Sequence, residues 1–517
     1  MTEQPPLSRT ALTLVGALML APVLLFAMPP VLDFPNHVTR LWLLTGGMAP
    51  PLNRFYGEDW SGIGTNIGID VLAKLFVPLM PAFTLGRVLL ALAVVLPPLG
   101  AMVLNIATFH RREPWLSVFA YFAFSETLLA GFLNFQIGLG LALLAAAADM
   151  SIAKVWARCI FRLAAASVVF IFHPFALMFY ALLLGGILIG ATLPTRREVR
   201  SLAQRLAEAA AICAVPVVAF LAKRALPGDP RLHFVALFND PLEAVGALLS
   251  PFASYNAIVD LAFAYPLVLL VGYAAATRRI EAHAGLLAVA AGLALVSLVM
   301  PRITNEAGWM DRRLPIMAVL TALAATQVSL GASRRMLLTV GTMTFVALRT
   351  AWITWNWSAG DAMLDSIRAA TAALPAGAAV LPVQQEPDRH DRLFPPPGRL
   401  LGLSSYPYAH YPALLVAWHH AFVPSLFAEL GKQPVKVRAP YDRIAVPQGG
   451  DIPSIAALMH VRDLEPAYRG WRRDFGYVLV LNADRPRPAA MLPHELLLVR
   501  DAGFAKLYRV RKPDRRN

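Results

Sequence analysis

Three side chains with complementary chemistry lie close together near the start of the chain, in the stretch VLDFPNHVTRLW (31–42). Asp33, His37 and Arg40 follow one another at intervals of four and three residues, and on a helix these intervals place side chains on one face. A carboxylate in such a group is able to take a proton from an attacking hydroxyl, and a guanidinium group is suited to binding an anion. The pattern indicates a candidate site for acid–base chemistry.

A helix cap is the alternative interpretation of Asp33. An aspartate just before a helix accepts hydrogen bonds from backbone N–H groups of the first turn, and Pro35 is tolerated in that turn because few of its N–H groups have helical partners. A capping aspartate does not require His37 one turn later. Both interpretations stay open at this level.

The elements that must position these residues are membrane helices. Hydrophobic residues make up 57% of the 517 positions and charged residues only 15%, whereas charged residues form about 25% of an average soluble chain. The mean hydropathy of +0.56 likewise predicts an α-helical polytopic membrane protein. Apolar runs predict eleven spans, at 10–28, 83–107, 115–131, 133–149, 158–172, 174–193, 206–223, 261–277, 284–300, 314–331 and 336–353.

The connectors between these runs predict the orientation of the chain. Short connectors that are rich in lysine and arginine stay on the cytoplasmic side. With the N-terminus inside, all the inner connectors are basic, namely those at 110–113, 154–158, 195–205, 277–283 and 333–335. Eleven spans then place the C-terminus outside, together with the long segments 29–82 and 224–260. Alanine and arginine richness is typical of a GC-rich bacterium, which predicts an inner-membrane protein with a periplasmic outer side.

Composition divides the chain into two predicted domains, a transmembrane domain at 1–354 and a periplasmic α/β domain at 355–517. The second is predicted from a helical stretch and from strand-like runs between proline-rich loops, at 361–374, 378–383, 476–482 and 504–510. Within the first periplasmic loop, 29–82, the apolar residues of 66–82 fall on one face. This segment is predicted to lie along the membrane interface or to be a packing helix.

Several classes of function are excluded or disfavoured. The net charge of +14 is spread over both parts of the chain, and the basic residues of the first part cluster in short connectors, which topology and anionic lipids explain without nucleic acid. The chain has no glycine-rich nucleotide loop, so direct use of ATP or NAD is not expected. The histidines His410, His419 and His420 have no Cys or Glu at ligand spacing, so no cofactor is predicted, and a divalent metal is not supported.

The loop DFPNHVTRLW (33–42) resembles the first outer loop of the GT-C superfamily of integral-membrane glycosyltransferases. It is similar in particular to members that use polyprenyl-phosphate donors, in which an acidic residue begins the loop and a His or aromatic residue follows one turn later. The stretch LPAGAAVLPV (374–383), just after the last span, is also similar to bacterial proteins of this group. The resemblance implies a polyprenyl-phosphate-linked sugar as donor and Asp33 in the position of the catalytic carboxylate.

The resemblance also implies roles for other residues. Many relatives carry two neighbouring acids, whereas Phe34 and Pro35 follow Asp33, which puts metal binding in doubt; Glu58 and Asp59 are either a second acidic site or solvated loop residues. A basic residue near a late span holds the lipid phosphate in relatives. That role points to MDRRLP, which contains Asp311, Arg312 and Arg313, although anchoring to lipid headgroups also explains these residues.

The predicted function is therefore an inverting glycosyl transfer from a polyprenyl-phosphate sugar to a lipid, glycan or protein acceptor at the periplasmic face. Arg40 and His37 are expected to help bind substrate, although His37 is equally suited to orienting Asp33 or to packing. The alternatives are a transporter or flippase for lipid-linked saccharides and a membrane scaffold. The enzyme hypothesis predicts that Asp33 and Arg312 or Arg313 act around one buried headgroup.

Overall fold

The computed structural model describes residues 9–190, 196–224, 236–304, 308–329, 332–402, 404–485 and 493–511. Most of these residues are helical. The α-helices are α1 Arg9–Leu25, α2 Phe34–Trp42, α3 Gly68–Phe76, α4 Ala82–Phe109, α5 Glu126–Leu129, α6 Leu133–Asp149, α7 Val155–Phe172, α8 Pro174–Gly190, α9 Arg196–Arg224, α10 Pro241–Leu248, α11 Ala257–Ala276, α12 Ala284–Ser297, α13 Arg313–Ala324, α14 Ala332–Ala370, α15 Arg389–Leu393, α16 Leu414–His419 and α17 Trp471–Asp474.

Most of the predicted spans correspond to apolar helices. Among the described residues, five helices are long and apolar enough to cross a membrane: α4, α7, α9, α11 and α14. Five more, α1, α6, α8, α12 and α13, are apolar but shorter, at 10–17 residues. The count of eleven spans stays a prediction, and residues 191–193, 225–235 and 330–331 of the predicted segments lie outside the described residues.

Three predicted elements differ from the structure. The run predicted as a span at 115–131 instead forms a buried 3₁₀ helix, Pro114–Phe124, followed by α5. Hydropathy is the same for either helix type, so composition did not distinguish them. The predicted span at 314–331 ends as a helix at Ala324, because Thr326–Val328 forms a strand. The predicted helix at 361–374 is not separate: it begins within the 39-residue helix α14, which ends at Ala370.

The described residues separate into two compact units. Unit 1 contains those within 1–25, 64–69 and 89–354, and unit 2 contains those within 26–63, 70–88 and 355–517. The segment that carries Asp33 therefore packs as part of the same unit as the C-terminal third of the chain.

The helices of unit 1 approach closely where glycines face one another. A Cβ atom on Gly100 of α4 would lie 2.8 Å from the carbonyl oxygen of Gly140 in α6. A Cβ atom on Gly140 would lie 2.4 Å from the Cβ atom of Leu96. Small residues at such crossings allow two apolar helices to pack backbone against backbone. This contact fixes α6, whose first turn carries Phe135 of the site described below.

The strands of unit 2 tie its separate chain segments together. They are β1 Tyr56–Glu58, β6 Val380–Gln384, β7 Val435–Val437, β8 Tyr477–Leu481, β9 Leu496–Asp501 and β10 Lys506–Val510. The order β6-β8-β10-β9 makes a four-stranded sheet in which only the β6–β8 pair is parallel. Strand β1 pairs with β7, with Tyr56 opposite Val437, so the loop after α2 is hydrogen-bonded to the C-terminal part of the unit.

The short strands of unit 1 are β2 Ala236–Leu237, β3 Ile280–Ala282, β4 Ile303–Thr304 and β5 Thr326–Val328, which pair as β2–β4 and β3–β5. Both pairs are antiparallel. The pairing of β3 with β5 gives the residues after α13 backbone partners in place of a further helical turn, which explains the early end of that helix.

Candidate functional site

Asp33 occupies the N-cap position of α2, but its carboxylate does not cap the helix. Its backbone has φ −84° and ψ −9°, which is helical, and the side chain accepts no hydrogen bond from the first turn. The backbone carbonyl of Asp33 accepts the first helical bond, from the N–H of His37 at 3.0 Å. Because a capping aspartate binds the N–H groups of the N2 or N3 residues, the capping interpretation of Asp33 does not hold for its side chain.

The Asp33 carboxylate is instead bound to His410, which is 377 residues later in the chain. The distance from Nδ1 of His410 to Oδ1 of Asp33 is 2.8 Å, and the distance from Nε2 to the carbonyl oxygen of Gly449 is 2.9 Å. Only 11% of the His410 side chain and 13% of the Asp33 side chain are exposed. Both ring nitrogens of His410 are therefore occupied by oxygen acceptors in a largely water-excluded position.

The environment changes the pKa of His410 in two opposing ways. Burial lowers it, whereas the hydrogen bond and negative charge of Asp33, the carbonyl of Gly449 and the charge of Asp451 raise it. The raising effects are together the larger, so the pKa of His410 lies above its usual value of 6.5.

Phe427 and Gly449 fix the position of the histidine. The Phe427 ring centroid lies 5.2 Å from that of His410 and 5.7 Å from that of His37, both edge to face. The backbone N–H of Phe427 also donates to Oδ1 of Asn36 at 3.1 Å. Gly449 has φ +87°, and a Cβ there would lie 2.1 Å from the Phe427 ring. Any larger residue would be strained at this φ and would displace the Phe427 ring that packs against His410.

Arg40 is committed to an ion pair inside unit 2. Its Nε and Nη2 donate to the two carboxylate oxygens of Asp70 at 2.7 and 2.9 Å, and both side chains are almost fully buried. This bidentate geometry fastens α2 to α3, which follows it in the chain. Asp70 and Ala73 face the interior, whereas Leu75 and Leu79, predicted to share the apolar face of this segment, are exposed.

Glu58 and Asp59 lie near the surface and have their own partners. Glu58 binds Lys74 and accepts a hydrogen bond from the Trp60 indole at 2.6 Å. Asp59 binds the hydroxyl of Ser61 and, at 2.9 Å, the ammonium group of Lys436, and these contacts hold the pKa of Asp59 below its usual value. Neither carboxylate contacts Asp33 in the part of unit 2 that the structure describes.

Unit 1 gathers a second set of charges at the start of α13. Arg312 binds Glu126 and lies over the Trp309 ring, with its guanidinium carbon 4.7 Å from the ring centroid. Asp311 accepts a hydrogen bond from the amide of Asn239 at 2.7 Å. Glu126 and Asp311 are buried, whereas 18% of the Arg312 side chain is exposed.

Arg313 lies among aromatic rings. Its guanidinium carbon is 4.8 Å from the Phe132 centroid, 5.9 Å from that of Phe135 and 5.7 Å from that of Phe175. Stacking of this kind favours a guanidinium group over an ammonium group. The predicted group MDRRLP therefore forms a charged cluster with α5 and with aromatic residues of α6 and α8.

The sequence-predicted residues thus divide between the units. Asp33, His37, Arg40, Glu58 and Asp59 lie in unit 2, and Asp311 to Arg313 lie in unit 1. That Asp33 and the arginines act around one headgroup stays a prediction. Across the described chain, no group of three or more His, Cys, Asp or Glu side chains is arranged to hold a metal ion.

Sequence reasoning missed His410, which it weighed only as a metal ligand. The signal that was present is its setting: a single histidine inside the aromatic stretch YPYAHYPALLV (406–416), in which most residues are buried. A polar side chain in such a position needs a partner. Its distance along the chain gave no indication that the partner is Asp33.

No protein-family model and no curated protein matches this chain by sequence. Two solved structures match its fold. ArnT from Cupriavidus metallidurans bound to undecaprenyl phosphate is 13% identical, with 97% of this chain and 98% of that chain covered and a TM-score of 0.50. The apo state of the same protein is 12% identical, with coverage of 96% and 97% and a TM-score of 0.51. This chain therefore has, over nearly its whole length, the fold of these ArnT structures.

Proposed function

We propose that this protein is an inverting glycosyltransferase that moves a sugar from a polyprenyl-phosphate donor to an acceptor hydroxyl on the periplasmic side of the bacterial inner membrane. One observation carries the proposal: the Asp33 carboxylate at the start of α2 does not cap the helix and is held in place by His410. The GT-C fold supports the proposal, and so does the fact that one of the ArnT structures is bound to undecaprenyl phosphate.

The reaction assigns a simple task to Asp33. The acceptor oxygen attacks the anomeric carbon of the sugar while Oδ2 of Asp33 takes the hydroxyl proton. The bond between that carbon and the phosphate oxygen breaks, and the electron pair leaves with the polyprenyl phosphate. Because the attack is a single displacement from the face opposite the leaving group, the anomeric configuration inverts.

Arg312 and Arg313 are proposed to bind the departing phosphate. A guanidinium group is permanently charged and presents its donors in a planar fork that matches phosphate oxygens. The exposed part of the Arg312 side chain supports this role, as does the aromatic cage that orients Arg313. Asp311 and Glu126 are proposed to orient the arginines, and Arg40 to hold α2 in place.

The proposed function includes the domain organisation that the sequence predicts. Residues 1–354 form the transmembrane domain, with 29–82 as its first periplasmic loop, and residues 355–517 form a periplasmic α/β domain. The acceptor is a lipid, a glycan or a protein with a free hydroxyl. In this arrangement the reaction needs no nucleotide cofactor, because the phosphate of the donor is already a good leaving group.

Transfer from a panel of undecaprenyl-phosphate sugars, measured with the full-length protein in lipid nanodiscs and with periplasmic glycolipids as acceptors, tests the proposal. The wild type is expected to transfer one of these sugars, and Asp33→Asn to lower the rate by about 10³-fold, since a general base contributes about 10²–10⁴. Asp365→Asn, which alters an exposed carboxylate of α14, is the matched control.

Two results would count against the enzyme. Equal transfer by Asp33→Asn and the wild type would remove the carboxylate from the chemistry. Movement of the lipid-linked sugar across a vesicle membrane without any glycosylated product would favour the transporter or flippase instead.

A further inference from the structure

The two partners of His410 determine which of its nitrogens carry hydrogen. A backbone carbonyl oxygen only accepts hydrogen bonds, so Nε2, 2.9 Å from the oxygen of Gly449, must carry a hydrogen atom. In a neutral imidazole one nitrogen is a donor and the other an acceptor. If His410 were neutral, Nδ1 would therefore present a lone pair to whatever faces it.

The atom that faces Nδ1 is a carboxylate oxygen. Oδ1 of Asp33 lies 2.8 Å away, which is a hydrogen-bond distance and would be repulsive between two lone pairs. One proton must therefore lie between Nδ1 and Oδ1. Imidazole is more basic than a carboxylate by about 2.6 pKa units in model compounds, so that proton belongs to His410.

We propose that His410 is a positioning residue for the reaction: as an imidazolium it binds Oδ1 of Asp33 and leaves Oδ2 as the oxygen that takes the acceptor proton. The catalytic consequence rests on the proposed function, whereas the protonation state of His410 does not. The C-terminal part of unit 2 then completes the site around Asp33, because both His410 and Gly449 belong to it.

The surroundings of the pair support a fixed ionic contact. Asp33 and Asp451 are charged groups that act on His410, and both favour the imidazolium form. The Phe427 ring packs edge to face against His410 and against His37, and the side chains of His410 and Asp33 are largely buried. For Asp33, no hydrogen bond to Oδ2 is present among the residues that the structure describes, so this oxygen remains able to accept a proton.

The arrangement predicts a specific dependence on pH. When His410 loses its Nδ1 proton at high pH, Oδ1 faces a lone pair and the carboxylate is no longer held in one orientation. Transfer should therefore fall at alkaline pH as His410 titrates. In His410→Asn the amide N–H is able to donate to Oδ1 at every pH, so this alkaline decline should disappear.

The direct test is ¹⁵N NMR of histidine-labelled full-length protein in nanodiscs, with the His410 signals identified by their loss in His410→Asn. At pH 7 both ring nitrogens of His410 should show the imidazolium shift, and in Asp33→Asn the ring should become neutral at the same pH. A neutral ring in the wild type would overturn the proposal. Since this measurement uses no sugar donor, its result does not depend on the glycosyltransferase activity.

Kinetics test the positioning role separately. His410→Ala should lower kcat by about 100-fold, the scale expected for a misplaced catalytic group, with little change in the donor KM. His410→Asn should restore part of kcat and lose the alkaline decline, and the exposed His460→Asn serves as the control. Equal kcat for the Ala and Asn variants, or a pH profile in His410→Asn like that of the wild type, would contradict the role.

Discussion

The two units each contain a pair between a cation and a carboxylate, and the pairs differ in what they are able to do. In unit 1 the pair is Arg312 with Glu126; in unit 2 it is His410 with Asp33. A guanidinium group does not release its proton in a protein, whereas an imidazolium does so near neutral pH. The first pair therefore stays charged and suits the binding of an anion, whereas the charge of the second pair depends on pH.

A third pair, Arg40 with Asp70, shows the purely structural case. It is buried and bidentate, and the two carboxylate oxygens are both occupied. Asp33, seven residues before Arg40 on the same stretch of chain, keeps one oxygen without a partner among the described residues. The two carboxylates carry the same charge, but they differ in how many of their oxygens accept a hydrogen bond.

Breaking the structural pair should have the largest effect on stability. Asp70→Ala leaves the Arg40 guanidinium buried without its partner, which costs about 3–5 kcal/mol. Thermal unfolding of the purified protein should show a large decrease in Tm. The double variant Arg40→Met with Asp70→Leu should recover much of the loss, because no charge is then left buried. Equal Tm values for Asp70→Ala and the wild type would remove the structural role from this pair.

Removing the cation in unit 1 should affect donor binding more than chemistry. Arg312→Ala is expected to raise the donor KM by about 10- to 100-fold, which corresponds to about 1.5–3 kcal/mol for a hydrogen bond to a charged group. Adding Glu126→Gln avoids leaving that buried carboxylate unpaired and separates binding from folding. Arg302→Ala, at an exposed arginine of the same region, is the control. An unchanged KM in both Arg312 variants would show that this residue does not bind the donor.

The pair in unit 2 should make stability depend on pH. Because the folded-state pKa of His410 is raised above 6.5, its stabilising contribution is complete below about pH 6.5 and is lost as the pH rises through the folded-state value. The Tm of the wild type should exceed that of His410→Asn most between pH 5.5 and 6.5, where the free energies of unfolding should differ by roughly 2 kcal/mol. The difference in Tm should shrink toward pH 9. A difference that grows with pH would have the wrong sign for this pair.

The smallest effect is expected at the surface carboxylates of the first loop. Glu58→Gln and Asp59→Asn remove ion pairs with Lys74 and Lys436, and exposed pairs of this kind contribute little. Transfer rates should change by less than about twofold. A large loss of activity in either variant would instead support the hypothesis that Glu58 and Asp59 form a second acidic site.

Most hydrophobic runs correspond to apolar helices, because the length and polarity of such a run are local properties of the sequence. The run at 115–131 shows the limit, since a 3₁₀ helix followed by α5 is as apolar as a single α-helix would be. The early end of α13 at Ala324 had another cause, because it depends on the pairing of β5 with β3.

The sequence identified Asp33 as a candidate site residue but did not identify its partner. The interval between Asp33 and His37 suggested local chemistry, but the side chain that binds Asp33 is His410, which the fold brings from 377 residues away. Arg40 had the spacing of a substrate ligand, and Asp70, thirty residues later, binds it instead. Spacing along one helix identifies which residues share a face, and it does not identify which partners other segments supply.

The most direct test of the central claim is the anomeric configuration of the product, followed by ¹H NMR in a reaction with the undecaprenyl-phosphate sugar that the wild type accepts. The wild type should form a product whose anomeric configuration is opposite to that of the donor, and Asp33→Asn should form almost none. A product with retained configuration, or inverted product formed at the wild-type rate by Asp33→Asn, would contradict a single displacement in which Asp33 takes the proton.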